Sequence, residues 1–197
     1  MSYPQLSVLI PAAGASKRLG QAKQLVRYGN GTLIQNAVDL ALSIGPREVI
    51  VVTGANEKAV KDAVQHGQVR WIHNSDWSDG MGSSIATGAS IISPDSSAVM
   101  ILLCDQWRLQ SPDLRLIAKT WRSNPERIVC SQAESQNMPP VIFPASFFSR
   151  LQALGNDSGA RKILKEHPEI LTPVALENAI FDLDMPDQLN LLHTPDL

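Results

Sequence analysis

Lys17, Arg18, Lys23 and Arg27 fall in one short stretch of the chain, interleaved with Gly14, Gly20, Gly29 and Gly31. Cations set in a coil of small residues suit phosphate: the side chains meet its charge, and the glycines let backbone amides come close. Far downstream, Asp105 ends the apolar run "AVMILLCD", and Asp182 and Asp184 flank Leu183 in "DLD". If that segment is extended, its two acids project to one face. Carboxylates of this kind suit a hard divalent cation such as Mg²⁺, which takes one or two of them and fills its shell with phosphate oxygens and water.

Positioning these groups requires a scaffold, and the pattern supplies one. Leu6–Ile10 is a strand candidate, followed by a connection of roughly twenty residues where βα loops usually need about 2–6. That excess marks a working loop. "GTLIQNAVDLALSIGP" reads as a helix, with Thr32 as N-cap, Gln35 completing a capping box, and Gly45-Pro46 as its stop. "EVIVVTG" and "VRWIHN" are further strands around a helix over Asn56–Gln65, and Ser83–Ile92 reads as helical. "AVMILLCD" is the most apolar strand and is expected at the centre, buried on both faces. Ser111-Pro112-Asp113 opens a helix ending near Ser123, with Ser111 as its expected cap. After Ile128–Ser131, "MPPVIFP" suits an edge or antiparallel strand. Short helices are expected over Ala145–Leu154 and Ser158–Glu166, and Pro186 opens a last one. The alternation predicts one domain over residues 1–197: a three-layer α/β fold with a mostly parallel central sheet.

Composition narrows the function. With 44% hydrophobic and 18% charged residues the chain is globular, and a formal charge of −2 argues against nucleic acid or anionic membrane as partner. No apolar run approaches the ~20 residues of a membrane span, and Met1–Leu6 is no signal peptide. Cys104 and Cys130 lie in apolar runs, as reduced core residues of a cytoplasmic protein do. Two familiar phosphate loops fail on spacing. Five residues separate Gly14 from Gly20 and Gln21 follows, which breaks the Walker A pattern; Ala12 and Ser16 stand where the dinucleotide fingerprint needs glycine. His66, His73, His167 and His193 sit in unrelated contexts, and neither cysteine has a sequence partner marking a nucleophile. That absence favours direct in-line transfer.

"PAAGASKRLGQAK" resembles the A-A-G-x-S-x-R-M-G-x-x-K signature of the MobA-like nucleotidyltransferases, and within them the cytidylyltransferases of molybdenum-cofactor synthesis. "NSDWSDGMGSSIATG", "ILLCDQW", "GNDSGAR" and "FDLDMPDQL" resemble four further motifs of that family, in its order. The resemblance implies a Rossmann-like nucleotidyltransferase fold and transfer of CMP from CTP to a phosphorylated acceptor, molybdopterin, with release of pyrophosphate. It implies that Arg18 and Lys23 neutralise the triphosphate and that Ala12, Ala13 and Gly14 contact the nucleotide through their backbone. Alanine at Ala13 goes with cytosine. Asn74 and Ser84 are implied to face the nucleotide. Asp105 is implied to hold Mg²⁺ together with Asp182, with Asp184 as the other candidate. Asp157 or Ser158 is a candidate cap that aims Arg161 at an acceptor phosphate. "DQW" replaces D-Q-P, so Trp107 either lines the acceptor side or fills space, and Asn137-Met138-Pro139 replaces the usual glycines. Those departures keep two alternatives open: a sugar- or polyol-phosphate acceptor, or a non-catalytic nucleotide carrier serving a molybdenum hydroxylase.

Overall fold

Alternation organises β1 (Tyr3–Pro11), whose successive side chains leave on opposite faces. Val8 and Ile10 join one apolar cluster and Leu9 joins the other. The computed structural model describes residues 2–155 and 159–193. After β1 come a long loop, the two-residue strands β2 (Arg27–Tyr28) and β3 (Gly31–Thr32), helix α1 (Leu33–Leu42) and β4 (Pro46–Thr53). Helix α2 (Glu57–Asp62), β5 (Val69–His73), α3 (Met81–Ala89), β6 (Ala98–Ile101) and α4 (Ser111–Ser123) continue the alternation. The chain then forms β7 (Ile128–Ala133), β8 (Gln136–Pro144), α5 (Phe148–Gln152), α6 (Arg161–Glu166) and β9 (Leu171–Ala175), and ends in 3-10 turns.

The seven-stranded sheet has the order β5-β4-β1-β6-β8-β7-β9, and β8 alone runs against its neighbours. β6 is the middle strand with all four residues buried, as its composition predicts. Ala98 and Met100 face the cluster that holds residues of α1, α2 and α4, and Val99 and Ile101 face the one built with α3, α5 and α6. Three layers result.

β8 is antiparallel as expected, but it is an interior strand rather than an edge. Its prolines are accommodated because the β7 pairing jumps from Cys130↔Val141 to Ser131↔Met138, so Pro139 and Pro140 form a bulge. The β6 pairing begins only at Val141, beyond them. The turn between β7 and β8 uses Glu134 and Ser135, both at positive φ (47° and 62°), where glycine is the usual choice.

Helix boundaries bring further corrections. Thr32 does cap α1, accepting from the Gln35 amide at 3.3 Å, but the Gln35 side chain reaches Asp39 and the Gln65 amide, so the capping box is only half made. The N-cap of α4 is Gln110 and not Ser111, because Asp113 accepts the Gln110 amide at 2.9 Å while the Ser111 hydroxyl turns to Ser43. Helix α3 starts at Met81, earlier than its hydroxyl residues suggest, and the helix expected at Pro186 is a 3-10 helix over Pro186–His193. Ser158 lies outside the described residues.

Two predictions follow from this packing. A Cβ on Gly88 of α3 would lie 2.2 Å from Leu9 Cδ1 and 2.8 Å from Val52 Cγ2. The helix-propensity gain of alanine is about 1 kcal/mol, whereas overpacking costs about 1–3 kcal/mol. Gly88→Ala should therefore lower stability in urea unfolding, and an unchanged or raised midpoint would contradict the packing. Glu48 accepts from Ser7 Oγ (2.8 Å) and the Ser93 amide (2.7 Å) and pairs with Arg70. Burial pushes its carboxyl upward, but the Ser93 amide, Arg70 and Ser7 outweigh burial and hold it below its ordinary 4.5. A depressed acid stabilises above its unfolded pKa and loses that contribution as pH falls through the folded value. The stability gap between wild type and Glu48→Gln should therefore be widest near neutrality and shrink on acidification, measured by urea unfolding across pH.

Candidate active site

The long loop leaves the C-terminal edge of the sheet, where open α/β folds place ligands. Ala12 N still bonds Val52 O at 2.9 Å, and Ala13 O accepts from Ala55 N at 3.0 Å. Ala12 and Ala13 are buried, whereas Gly14 is exposed with open space around it. Gln24 then folds the loop back: its Nε2 donates to Ala12 O (3.0 Å) and Gly14 O (2.9 Å). Lys23 N donates to Ser16 Oγ at 3.1 Å. Leu19 and Val26 anchor the loop in an apolar cluster with Leu33, Trp107, Leu183 and Leu192. Lys17 and Arg18 lie exposed on a turn, and the structure does not bring Arg18 into the ion-paired cluster described next.

That cluster forms around Lys23. Its Nζ lies 2.8 Å from Asp105 Oδ2 and 2.5 Å from Asp184 Oδ1, joining three places far apart in the chain. The Asp105 carbonyl accepts the Leu183 amide at 3.2 Å, which docks the "DLD" segment against the end of β6. Burial alone would favour neutral Lys23, but the Asp105 and Asp184 carboxylates outweigh it and raise its pKa, so the ammonium stays charged across the physiological range. Asp182 sits at the solvent lip. Its carboxyl is pushed up, first by desolvation and then by the charges of Asp105 and Asp184. Asp184, rather than the preferred Asp182, makes the direct ion pair, and the Gln188 side chain holds its amide at 2.7 Å.

Asp105 Oδ1 is buried without a hydrogen-bond partner. A carboxylate oxygen left bare beside two other acids fits a hard cation's donor set. Among the described residues no three His, Cys, Asp or Glu side chains converge as a complete metal site, so phosphate oxygens and water would have to supply most of the shell.

Other expected positions have local surroundings of their own. Asn74 and Ser84 are buried and bonded to each other, with Asn74 Nδ2 donating to Ser84 Oγ at 3.1 Å and to Ser83 Oγ at 2.9 Å. Their visible work is to hold the start of α3 against the end of β5. Trp107 is buried, edge-on to Tyr28 and Phe181 at centroid distances of 6.0 and 6.2 Å. Arg161 is exposed at the start of α6, and its candidate caps Asp157 and Ser158 lie outside the described residues. Burial, with the Asp105 charge second, pushes the Cys104 thiol up to about 12, which removes it as a nucleophile.

Sequence reasoning missed two amides that shape the site, Gln24 and Gln106. Gln106 Nε2 donates to Pro139 O and Ala179 O, both at 2.7 Å, tying the Asp105 loop to β8 and to the segment that precedes "DLD". Each adjoins a charged residue already singled out, and that adjacency was the available signal.

Replacing Lys23 by methionine leaves like charges facing one another with no shared cation. Repulsion between them acts when they are ionised and is relieved by protonation, so Lys23→Met should destabilise by roughly 1–3 kcal/mol near pH 7 and by less near about pH 4. Urea unfolding at both pH values checks this, and an equal loss at both would show that the pair is not electrostatic.

Known proteins repeat this arrangement of sequence and fold. The chain is 30% identical over 197 aligned residues to nicotine blue oxidoreductase of Paenarthrobacter nicotinovorans, covering 94% of this chain and 95% of that protein. It is 34% identical over 82 residues to the molybdenum cofactor cytidylyltransferase of Escherichia coli, 41% of this chain and 42% of that one. The crystal structure of Rv0371C in complex with manganese, from Mycobacterium tuberculosis, superposes with a TM-score of 0.81 at 22% identity, covering 95% of this chain and 97% of that one. Residues 8–170 match the model of the MobA-like NTP transferase domain. From the first strand through the "GAR" helix, the chain belongs to the MobA-like NTP transferase family.

Proposed function

We propose that this protein is a Mg²⁺-dependent cytidylyltransferase that joins CMP from CTP to the phosphate of molybdopterin. The observation that carries this reading is the Lys23–Asp105–Asp184 cluster at the C-terminal edge of the sheet, with the loop backbone of Ala12–Gly14 beside it. An acceptor phosphate oxygen attacks the α-phosphorus, a new P–O bond forms, and the bond to the β-phosphate oxygen breaks, releasing pyrophosphate. Lys23 and Arg18 counter the triphosphate charge. Ala13, the residue that goes with cytosine in the family, supports CTP.

Asp105 with Asp182, or with Asp184, would hold the ion, through the bare Asp105 Oδ1 first. Bound there, Mg²⁺ would supply charge neutralisation at the α-phosphate. The manganese named with the mycobacterial neighbour is in keeping with a divalent ion. No helix among the described residues is long and apolar enough to cross a membrane, and both cysteines are buried and free, in keeping with work in the cytoplasm. Delivery of the product to a molybdenum hydroxylase belongs to the same reading.

A second reading is redox chemistry, favoured by the 30% identity to nicotine blue oxidoreductase across nearly the whole chain. One assay separates the two. Purified protein is incubated with each of the four nucleoside triphosphates, Mg²⁺ and molybdopterin, with sugar and polyol phosphates as rival acceptors, while pyrophosphate release is followed, and a parallel incubation follows the absorbance of nicotine blue with an added electron donor. Pyrophosphate is expected with CTP and molybdopterin, lost on chelation. Asp105→Asn should lower kcat about a hundredfold or more while leaving the fold intact by circular dichroism. Undiminished turnover in that variant, or reduction of nicotine blue by an added electron donor without pyrophosphate release, would overturn the proposal.

A further inference from the structure

Arg108 lies three residues beyond Asp105 and played no part in the expectations drawn from sequence. Its guanidinium carbon stands 4.0 Å from the centroid of Phe181 and 4.9 Å from that of Trp107, so two aromatic rings hold the group. Its Nε is buried with no hydrogen-bond partner, and among the described residues no hydrogen bond or ion pair reaches the guanidinium. This is an unusual state for an arginine, whose planar fork normally finds a carboxylate or carbonyl. Contact with ring faces leaves the in-plane N–H donors available, and those donors match two oxygens of a phosphate.

Position says which phosphate. The nucleotide loop is tied to the β4 side of the sheet through Ala12–Val52 and Ala13–Ala55. The loop carrying Arg108 is tied to the opposite side, through Gln106 to Pro139 of β8 and to Ala179. Asp105 lies between the two. Lys23 is already shared between two carboxylates and, on the transferase reading, the triphosphate, so the acceptor's charge calls for a further cation. Phe181, on which Arg108 rests, directly precedes Asp182.

We propose that Arg108, held against Trp107 and Phe181, is the anchor for the phosphate group of the acceptor. This rests on the transferase reading for its chemistry, but the anion site itself is testable without turnover. Trp107 then has a definite part: the residue that departs from the family motif is one wall of the arginine's cradle.

The test uses Arg108→Gln and Arg108→Lys in the full chain, both checked for unchanged unfolding midpoints. Inorganic phosphate titrated calorimetrically into wild type should bind, with affinity about ten- to a hundredfold weaker in Arg108→Gln. In turnover, KM for molybdopterin should rise by a similar factor while KM for CTP stays within about twofold. Arg108→Lys should recover part of the loss, because it restores charge without the planar fork. Equal phosphate affinity in wild type and Arg108→Gln would overturn the site, as would no detectable binding to wild type. A rise in KM for CTP instead of molybdopterin would assign the arginine to the nucleotide and overturn the acceptor role. If no triphosphate supports pyrophosphate release yet Arg108→Gln abolishes phosphate binding, the anion site stands and the transferase reading falls.

Discussion

A single ammonium group organises the functional end of this molecule. Lys23 arrives from a loop after the first strand, Asp105 from the end of the middle strand, and Asp184 from near the end of the described chain. None of these groups is stable there alone. The acids would repel one another, and the lysine would lose solvation without a counter-charge; together they give a site whose cation is held charged against its burial. The β1 loop, the β6 loop and the "DLD" segment must therefore be positioned together.

The rest of the structure supplies that positioning with apolar contacts and amides. Leu19, Val26 and Leu183 share one cluster with Trp107, so the loop and the C-terminal segment are seated on the same hydrophobic support. Gln24 and Gln106 then fix the backbone locally, one folding the loop onto Ala12 and Gly14, the other tying the Asp105 loop to β8. Each of these amides leaves its own Oε1 buried and bare. With Asp105 Oδ1 and Arg108 Nε they make four unsatisfied buried side-chain atoms among the described residues, all on the two loops that frame the cluster. Native structures satisfy most such atoms, so their concentration here marks a surface prepared for a polar ligand.

Membership of the MobA-like family fits this architecture, and the contrast among relatives is instructive. A relative named an oxidoreductase and one named a cytidylyltransferase share sequence with the same chain. Fold and family thus constrain where a ligand sits more tightly than what is done to it, because chemistry resides in a few loop side chains on a common sheet.

The three-layer architecture was legible in the sequence itself, since alternating apolar runs and capped helices are local signals, and burial on both faces explains why β6 had to be central. Lys23 and Asp105 could also be singled out there, since their types and settings need no neighbours to be noticed. What only the tertiary structure decided was partnership. Asp184 rather than Asp182 met the lysine, Asn74 and Ser84 turned toward each other, and Pro139 and Pro140 entered an interior strand through a bulge. The cradle of Arg108 between Trp107 and Phe181 was equally invisible. Each depends on contacts between segments tens of residues apart, set by packing and shared charge, and such distances leave no periodicity for a linear reading to find.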